Sequence, residues 1–129
     1  MICYQIVPGL AVEEFRNVLI RCTLGERRPV DDPARLKNMV AHANLIVTAR
    51  DAGKLVGVSR ALSDFAYCTY LSDLAVDIDY QRQGIGKELI RQTKLAAPEA
   101  KLILLSAPAA VDYYPKIGMQ RHAHCFYLD

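Results

Sequence analysis

Two glycines one residue apart, Gly84 and Gly86, stand at the start of an apolar helical pattern, and the basic residues Arg82 and Lys87 lie beside them. Glycine weakens the first turn of a helix, so two of them predict either an ordinary turn or a close approach of a ligand to the backbone. Backbone N–H groups at a helix N-terminus, with no Cβ in the way, form an anion site that suits phosphate. We therefore expect phosphate binding here, with a solvated surface as the alternative for the two basic side chains.

Two familiar phosphate-binding patterns do not fit this loop. A dinucleotide-binding fingerprint needs a third glycine at position 89, which is Leu89. A P-loop needs glycine at position 81 and Ser or Thr at position 88, which are Gln81 and Glu88. The remaining pattern, Q-x-x-G-x-G between a strand and a helix, is by itself a modest indication, since structural loops with two glycines are common.

A second group of residues with potential chemistry lies near the end of the chain, where RHAHCF contains two histidines and a cysteine. Alternation along a strand puts His122 and His124 on one face and Cys125 on the other, so we favour a strand over a metal site or a Cys–His nucleophile and expect no metal. In a reducing compartment, cysteines without a C-x-x-C pair are expected to be small buried hydrophobes. The four cysteines are Cys3, Cys22, Cys68 and Cys125.

The overall composition predicts one soluble domain over residues 1–129. Hydrophobic residues make up 52% of the chain and charged residues 23%, as in globular proteins, and the net charge of +2 is too small to argue for nucleic acid. The sequence contains neither a signal-peptide pattern at its start nor the roughly 20 consecutive apolar residues of a membrane span. We therefore expect a cytoplasmic protein with no membrane partner.

Hydrophobic periodicity predicts an alternating order of strands and helices. Asp32 is a candidate N-cap with Pro33 at the first helical position, and Asp51, Ala52 and Gly53 predict the turn of a hairpin. The wholly apolar stretch 101–108 predicts a strand buried on both faces. The predicted elements are strand 3–7, helices 12–24 and 31–43, hairpin 44–62, strand 66–76, helix 84–97, strand 101–108, helix 109–118 and strand 119–129.

This order predicts an α/β fold of mixed α+β type. A strand, a helix and a second strand in succession form a crossover that makes the two strands parallel, and the remaining strands are expected to be mostly antiparallel.

The stretch LSDLAVDIDYQRQGIGKELI resembles the acetyl-CoA-binding motif of the GNAT superfamily of N-acetyltransferases, in which L-x-V ends a strand and R/Q-x-x-G-x-G/A begins a helix. The stretch DYYPKIGM is similar to the second motif of that family, F-Y-x-K-x-G-F. Tyr113 stands at the Phe position, Tyr114 at the Tyr position, and Met119 at the final Phe. The close resemblance covers Leu71 to Met119, and the upstream segments match the family's order only coarsely.

The resemblance implies a GNAT-like fold, with a mostly antiparallel central sheet, one parallel splayed strand pair and about four flanking helices. In that family, the pantetheine arm of acetyl-CoA fills the gap between the splayed strands. The irregular apolar pattern of YLSDLAV is compatible with the β-bulge this requires and also with an ordinary two-sided strand. The positions implied to contact acetyl-CoA are Leu74, Ala75, Val76, Gln81, Arg82, Gln83, Gly84, Ile85, Gly86, Lys87, Ser106 and Tyr113.

The resemblance also implies that an amine attacks the thioester directly and that Tyr114 protonates the departing sulfur, with packing as the alternative role for this tyrosine. Pro115 follows it, and a proline inside a helix costs about 3 kcal/mol and kinks the helix. Asp73 is a candidate base, although a structural role and a water chain are favoured over it. The acceptor pocket is expected to draw on Arg27, Arg28, Asp64 and His124.

The predicted function is therefore transfer of an acetyl group from acetyl-CoA to an amine of a small molecule or peptide. The main alternative is a catalytically silent acyl-CoA-binding or regulatory module. A toxin-type acylator of charged tRNA fits less well because the chain is nearly neutral, and a purely structural α/β domain comes third. The acceptor amine is unspecified by the sequence, and a homodimer is left open.

Overall fold

The computed structural model describes residues 1–129 as helices packed on a mixed β-sheet. The elements are β1 (Ile2–Val7), α1 (Val12–Arg21), α2 (Pro33–His42), β2 (Leu45–Asp51), β3 (Lys54–Ser63), β4 (Cys68–Val76), α3 (Ile85–Ala96), β5 (Lys101–Ile103) and α4 (Tyr113–Lys116). Short 3₁₀ turns occur at Leu24–Arg27, Ile78–Tyr80 and Pro108–Ala110. The five strands follow the chain order β1-β2-β3-β4-β5. Only β4 and β5 are parallel, which confirms the predicted fold class.

Helices α1 and α2 cover one face of the sheet. Phe15 and Leu19 of α1 and Leu36 of α2 are fully buried, and they share one core cluster with Ile46 and Val58 of the sheet. The Asp32 side chain accepts a hydrogen bond from the backbone N–H of Arg35 at 3.1 Å and caps α2, as its position before Pro33 predicts.

Helix α3 covers the opposite face. Its buried residues Ile85 and Leu89 pack against Val47, Ala49 and Val56 of the sheet. The helices on the two faces thus leave the region between β4 and β5 as the place where the sheet can open.

The C-terminal part of the chain departs from the predictions. Strand β5 has three residues rather than eight, and Ile103 and Leu105 are 48% and 52% exposed, so the prediction of a strand buried on both faces is wrong. An apolar run cannot reveal whether a neighbouring strand covers it, and β5 pairs only with β4.

The predicted helix 109–118 is also shorter than expected. Pro108 opens a 3₁₀ turn, and α4 begins only at Tyr113. Pro115 falls in the first turn of α4, where backbone N–H groups have no partner inside the helix, so the expected interior kink does not occur.

Residues 119–129 form no strand, which corrects the prediction of a final one. Phe126, Tyr127 and Leu128 are exposed, and the His124 backbone N–H donates to His122 Nδ1 at 3.0 Å in a local turn. The alternation of this segment meets the pattern of a strand, but no strand lies beside it.

Three of the four cysteines contradict the expectation of burial. Cys3, Cys68 and Cys125 are exposed, and only Cys22 is buried. Cys3 lies in an edge strand and Cys125 lies in the irregular tail, so neither is covered by a neighbouring element.

An ion pair between an exposed arginine and a buried carboxylate joins α1 to the segment that follows β4. Asp77 is 2% exposed, and Arg21 donates to its carboxylate from Nε at 3.2 Å and from Nη2 at 3.1 Å. The hydrogen bond from Arg21 holds the pKa of Asp77 below its ordinary range, against the opposing effect of burial. This pair fixes the start of the loop that leads to α3.

Asp77→Asn tests this contribution through pH. Because the folded state lowers the pKa of Asp77, its stabilisation is present above the unfolded value of about 3.9 and is lost as the pH falls through the folded value. We expect Asp77→Asn to unfold at a lower urea concentration at neutral pH and to lose less stability than the native chain between about pH 5 and pH 2. Asp31→Asn, at a carboxylate 96% exposed, is the control. Parallel pH profiles for the native chain and Asp77→Asn would contradict the assignment.

Candidate active site

The cleft of the molecule lies where β4 and β5 separate. Their parallel pairing covers three positions and ends at Tyr70 and Ile103. Strand β4 continues to Val76 beside β3, so its side facing β5 has no partner strand beyond Tyr70. An unpaired strand side presents a row of N–H and C=O groups that can pair with an extended ligand.

A β-bulge in β4 accompanies the separation. Arg60 pairs with Asp73 and Ala61 with Leu71, so Ser72 is the extra residue of β4. Of the two interpretations of this segment's irregular pattern, the structure therefore supports the bulge. A bulge bends its strand and increases the local twist, which turns β4 away from β5 at this point.

A cavity of about 800 Å³ occupies the gap. Its lining comes from α3 and the preceding loop on one face of the sheet, and from Cys22, Leu24 and Arg28 on the face of α1, so it passes between the strands. The sequence-predicted residues that line it are Leu74, Val76, Gln81, Arg82, Gly84, Ile85, Gly86, Lys87, Ser106, Tyr113 and Tyr114. Ala75 instead has its side chain in the core beneath α1, and Gln83 is an exposed loop residue.

The loop before α3 has an unusual backbone. Arg82 and Gly84 both adopt left-handed conformations, with φ of 63° and 82°. Left-handed residues alternating with others turn successive N–H groups to one side and form a concave anion site. Gln81 Nε2 donates to the Val76 carbonyl at 3.0 Å and thereby ties the loop to the end of β4.

The two glycines are needed for different reasons. A Cβ at Gly84 would meet no atom within 4 Å, so the requirement there is the left-handed backbone. A Cβ at Gly86 would lie 3.1 Å from the Tyr113 hydroxyl and 3.8 Å from Leu74 Cδ2. The close approach to Gly86 in this structure is therefore made by a side chain of the protein itself.

The two tyrosines of α4 both line the cavity and contact each other edge to face, with ring centroids 5.3 Å apart. Burial raises the pKa of Tyr114, and the neighbouring Tyr113 raises it further. Burial also raises the pKa of Tyr113, which the Lys87 backbone N–H partly offsets. Both phenols are therefore protonated at neutral pH and able to donate a proton.

Asp73 has a different environment from these cavity residues. It is fully buried, does not line the cavity, and accepts hydrogen bonds from Nε of Arg28 and Nε of Arg60 on its two oxygens. Arg28 also donates to the Ser72 carbonyl at 2.8 Å, and Arg60 to Ser72 Oγ at 2.9 Å. This position favours a structural role at the bulge over the role of a base. Sequence reasoning missed Arg60, whose only signal is a lone charge in an apolar strand.

The remaining acceptor-pocket candidates divide into two groups. Arg27 and Arg28 line the cavity, whereas Asp64 and His124 do not. The Asp64 carboxylate accepts three backbone N–H groups of its own turn, which lower its pKa to about 2. Ser106 lines the cavity, and its hydroxyl donates to the Ala107 carbonyl at 2.7 Å.

No group of three His, Cys, Asp or Glu side chains is placed to hold a metal ion. None of the helices has the length and apolar character needed to cross a membrane.

Solved structures that superpose on this chain include proteins named as acetyltransferases. A GNAT-family acetyltransferase from Streptococcus pneumoniae superposes with a TM-score of 0.81 and 22% identity, covering 100% of this chain and 98% of its own. The aminoglycoside N-acetyltransferase AAC(6')-Iy in complex with CoA superposes with a TM-score of 0.75 and 14% identity. The superposition covers 100% of this chain and 94% of that protein's chain. These likenesses define the class of fold as that of the GNAT acetyltransferases.

The sequence itself carries the same relationship. Residues 28–127 match the family described as the acetyltransferase (GNAT) domain. The chain therefore belongs to the GNAT acetyltransferase family. It is 32% identical over 105 residues to the probable acetyltransferase TAP2 of Glycine max, and this alignment covers 73% of the chain. It spans 42% of that relative's length, and 46% and 49% of two others.

The two glycines can be separated by their effects on stability. We expect Gly84→Ala to lower the free energy of unfolding by about 1 to 2 kcal/mol, because alanine resists the left-handed conformation, and Gly84→Asn to lower it less. Gly86→Ala should change stability little, because the atom it meets is the far end of the Tyr113 side chain. Urea unfolding of the three variants measures this order. Equal losses at positions 84 and 86 would contradict it.

Proposed function

We propose that this chain is an acetyl-CoA-dependent N-acetyltransferase that acts on an amine of a small molecule or peptide by direct attack. The observation that carries the proposal is the cavity between the separated strands, whose lining includes the loop before α3 with its left-handed residues, Tyr114 and the two arginines that follow α1. We further propose that residues 1–129 act as one domain and that the protein works in the cytoplasm, which rests on the sequence alone.

The residues around the cavity fit acetyl-CoA. The N–H groups from Arg82 to Lys87 suit the pyrophosphate, because Arg82 and Gly84 are left-handed and the two basic side chains line the cavity. The unpaired backbone side of Leu74 to Val76 suits the pantetheine amides, with Ala75 contributing only through its backbone. Ile85, Gly86, Ser106 and Tyr113 complete the wall, and Gln83 belongs to the same loop.

The bound cosubstrate supplies an acetyl thioester, and the chain's own groups handle the protons. Tyr114 holds its proton at neutral pH because burial raises its pKa, and it donates that proton to the departing sulfur. Tyr113 is assigned to cosubstrate binding rather than to proton transfer, because its hydroxyl lies beside Gly86 at the start of α3.

No carboxylate or imidazole among the cavity residues is available to deprotonate the acceptor amine. The cavity lining contains no Asp, Glu or His, and both oxygens of Asp73 are engaged by Arg28 and Arg60. The amine therefore reacts as the fraction already present as free base, or loses its proton to water.

Tyr114→Phe separates chemistry from packing, because it removes only the hydroxyl. We expect kcat to fall by roughly 10²-fold or more while the affinity for CoA and the melting temperature hardly change. Tyr113→Phe is the matched control and should keep most of kcat. Steady-state kinetics with acetyl-CoA measures both. A slow Tyr113→Phe beside a normal Tyr114→Phe would assign the acid to the other phenol.

The pH dependence tests how the amine loses its proton. If no side chain serves as base, kcat/KM should rise with pH in step with the acceptor's own free-base fraction, without an enzymic inflection between about pH 6 and 9. It should fall only at a pH above the ordinary range of a tyrosine, because burial raises the pKa of Tyr114. An inflection near neutrality that Asp73→Asn abolishes would instead make Asp73 the base.

The lack of an acidic or histidine side chain along the cavity also favours a second candidate, a catalytically silent acyl-CoA-binding module. Both candidates predict that CoA raises the melting temperature, whereas NAD and ATP change it little. At a free CoA concentration of a hundred times Kd, the free energy of unfolding should rise by about 2.7 kcal/mol. Only the enzyme turns over acetyl-CoA with a panel of amines. A shift with ATP and none with CoA would overturn both.

A further inference from the structure

The charged side chains that line the cavity are all cationic. They are Arg27, Arg28, Arg82 and Lys87, and no carboxylate lies among the lining residues. Arg82 belongs to the loop before α3 and Lys87 to the first turn of α3, where phosphate is expected. Arg27 ends the 3₁₀ turn after α1 and Arg28 follows it, on the other face of the sheet, where the proposed cosubstrate supplies no anion.

The charge at this second end is not neutralised by the protein. Asp73 carries one negative charge against two guanidinium groups, Arg28 and Arg60, so this buried cluster keeps an excess positive charge. The Arg28 donors engage Asp73, the Arg27 carbonyl and the Ser72 carbonyl, which leaves two of its five N–H groups free. The Arg27 side chain is exposed and makes neither an ion pair nor a hydrogen bond.

From this arrangement we propose that the acceptor is an amine that carries a carboxylate near its amino group, and that Arg27, with the free N–H groups of Arg28, binds the carboxylate. This inference rests on the proposed acetyl transfer. A guanidinium fork matches a planar carboxylate through two parallel hydrogen bonds. A polyamine, by contrast, would bring further positive charge to an end of the cavity that holds no acid.

The same arrangement accounts for the lack of a base. Nearby positive charge disfavours the protonated form of an amine and lowers its pKa, so the arginines increase the reactive free-base fraction of a bound acceptor. The carboxylate orients the acceptor while the surrounding cations keep its amino group neutral.

Matched acceptors test the proposal directly. β-Alanine and longer ω-amino acids are compared with their amides, with rates corrected to the free-base concentration, and spermidine serves as the polycation. We expect kcat/KM for the acids to exceed that for the amides by tenfold or more, with spermidine the poorest. O-Phosphoethanolamine is included, and its preference over every carboxylate would overturn the carboxylate assignment in favour of phosphate.

Variants assign the effect to the residue. Arg27→Gln should lower the acid-to-amide ratio of kcat/KM severalfold, chiefly by raising KM for the acids, Arg27→Lys should restore part of that ratio, and Arg27→Glu should reverse it. Arg35→Gln, at an exposed arginine of α2, is the control. An unchanged preference for acids in Arg27→Gln would overturn the role of Arg27.

A binding measurement keeps the inference separate from catalysis. In CoA-saturated protein, N-acetyl-β-alanine should raise the melting temperature more than its amide, and Arg27→Gln should abolish the difference. If amines are acetylated but acids and amides behave alike, the inference fails and the proposed function stands. If no amine is acetylated while the acid still binds preferentially, the proposed function fails and the anion site stands. Equal binding of acid and amide overturns the site in either case.

Discussion

The buried carboxylate of Asp73 holds together the elements around the bulge of β4. An ion removed from water costs several kcal/mol unless its partners replace the lost hydration, and removing one partner of such a group is strongly destabilising. Here Arg28 reaches Asp73 from the turn after α1, and Arg60 reaches it from β3. Arg60 also donates to the Met39 carbonyl of α2 at 3.1 Å. One charge thus ties together the bulged strand, its neighbour and both helices of that face, and it does so at the residue where β4 turns away from β5.

The separation of those strands leaves an unpaired strand edge, which is normally unfavourable but here forms one wall of the cavity. Unpaired strand edges invite aggregation, and proteins usually cover or shorten them. This fold keeps the parallel pair to three positions and leaves the rest of β4 facing a cavity rather than open solvent. For the proposed cosubstrate, the binding groups are then largely those of the backbone, whose positions depend on the bulge at Ser72 and on the left-handed residues of the loop.

The sequence predicts the elements whose signals are local. Asp32 before Pro33 marks a helix start, the turn residues mark the hairpin, and the two glycines mark the loop before α3. The bulge leaves a trace because it breaks the alternation around Ser72.

Features that depend on distant neighbours are not predictable in this way. The exposure of Ile103 follows from the lack of a strand beside β5, and the pairing of Arg60 with Asp73 spans 13 positions across two strands. Neither feature can be inferred from the residues adjacent in the sequence. The irregular tail is a similar case, because its alternation satisfies a strand pattern without a strand to pair with.

The uneven burial of the cysteines lets the rate of thiol labelling report on access to the cavity. Three thiols are open to a modifying reagent, whereas Cys22 is 8% exposed, donates to the Leu19 carbonyl, and has its pKa raised by burial. The thiolate is the nucleophile that attacks such reagents, so Cys22, with its raised pKa and small exposed area on the cavity wall, reacts more slowly than the other three. Counting labels by mass spectrometry over time therefore separates three fast additions from a fourth. The rate of that fourth addition reports how readily a reagent reaches the cavity wall, without any introduced probe.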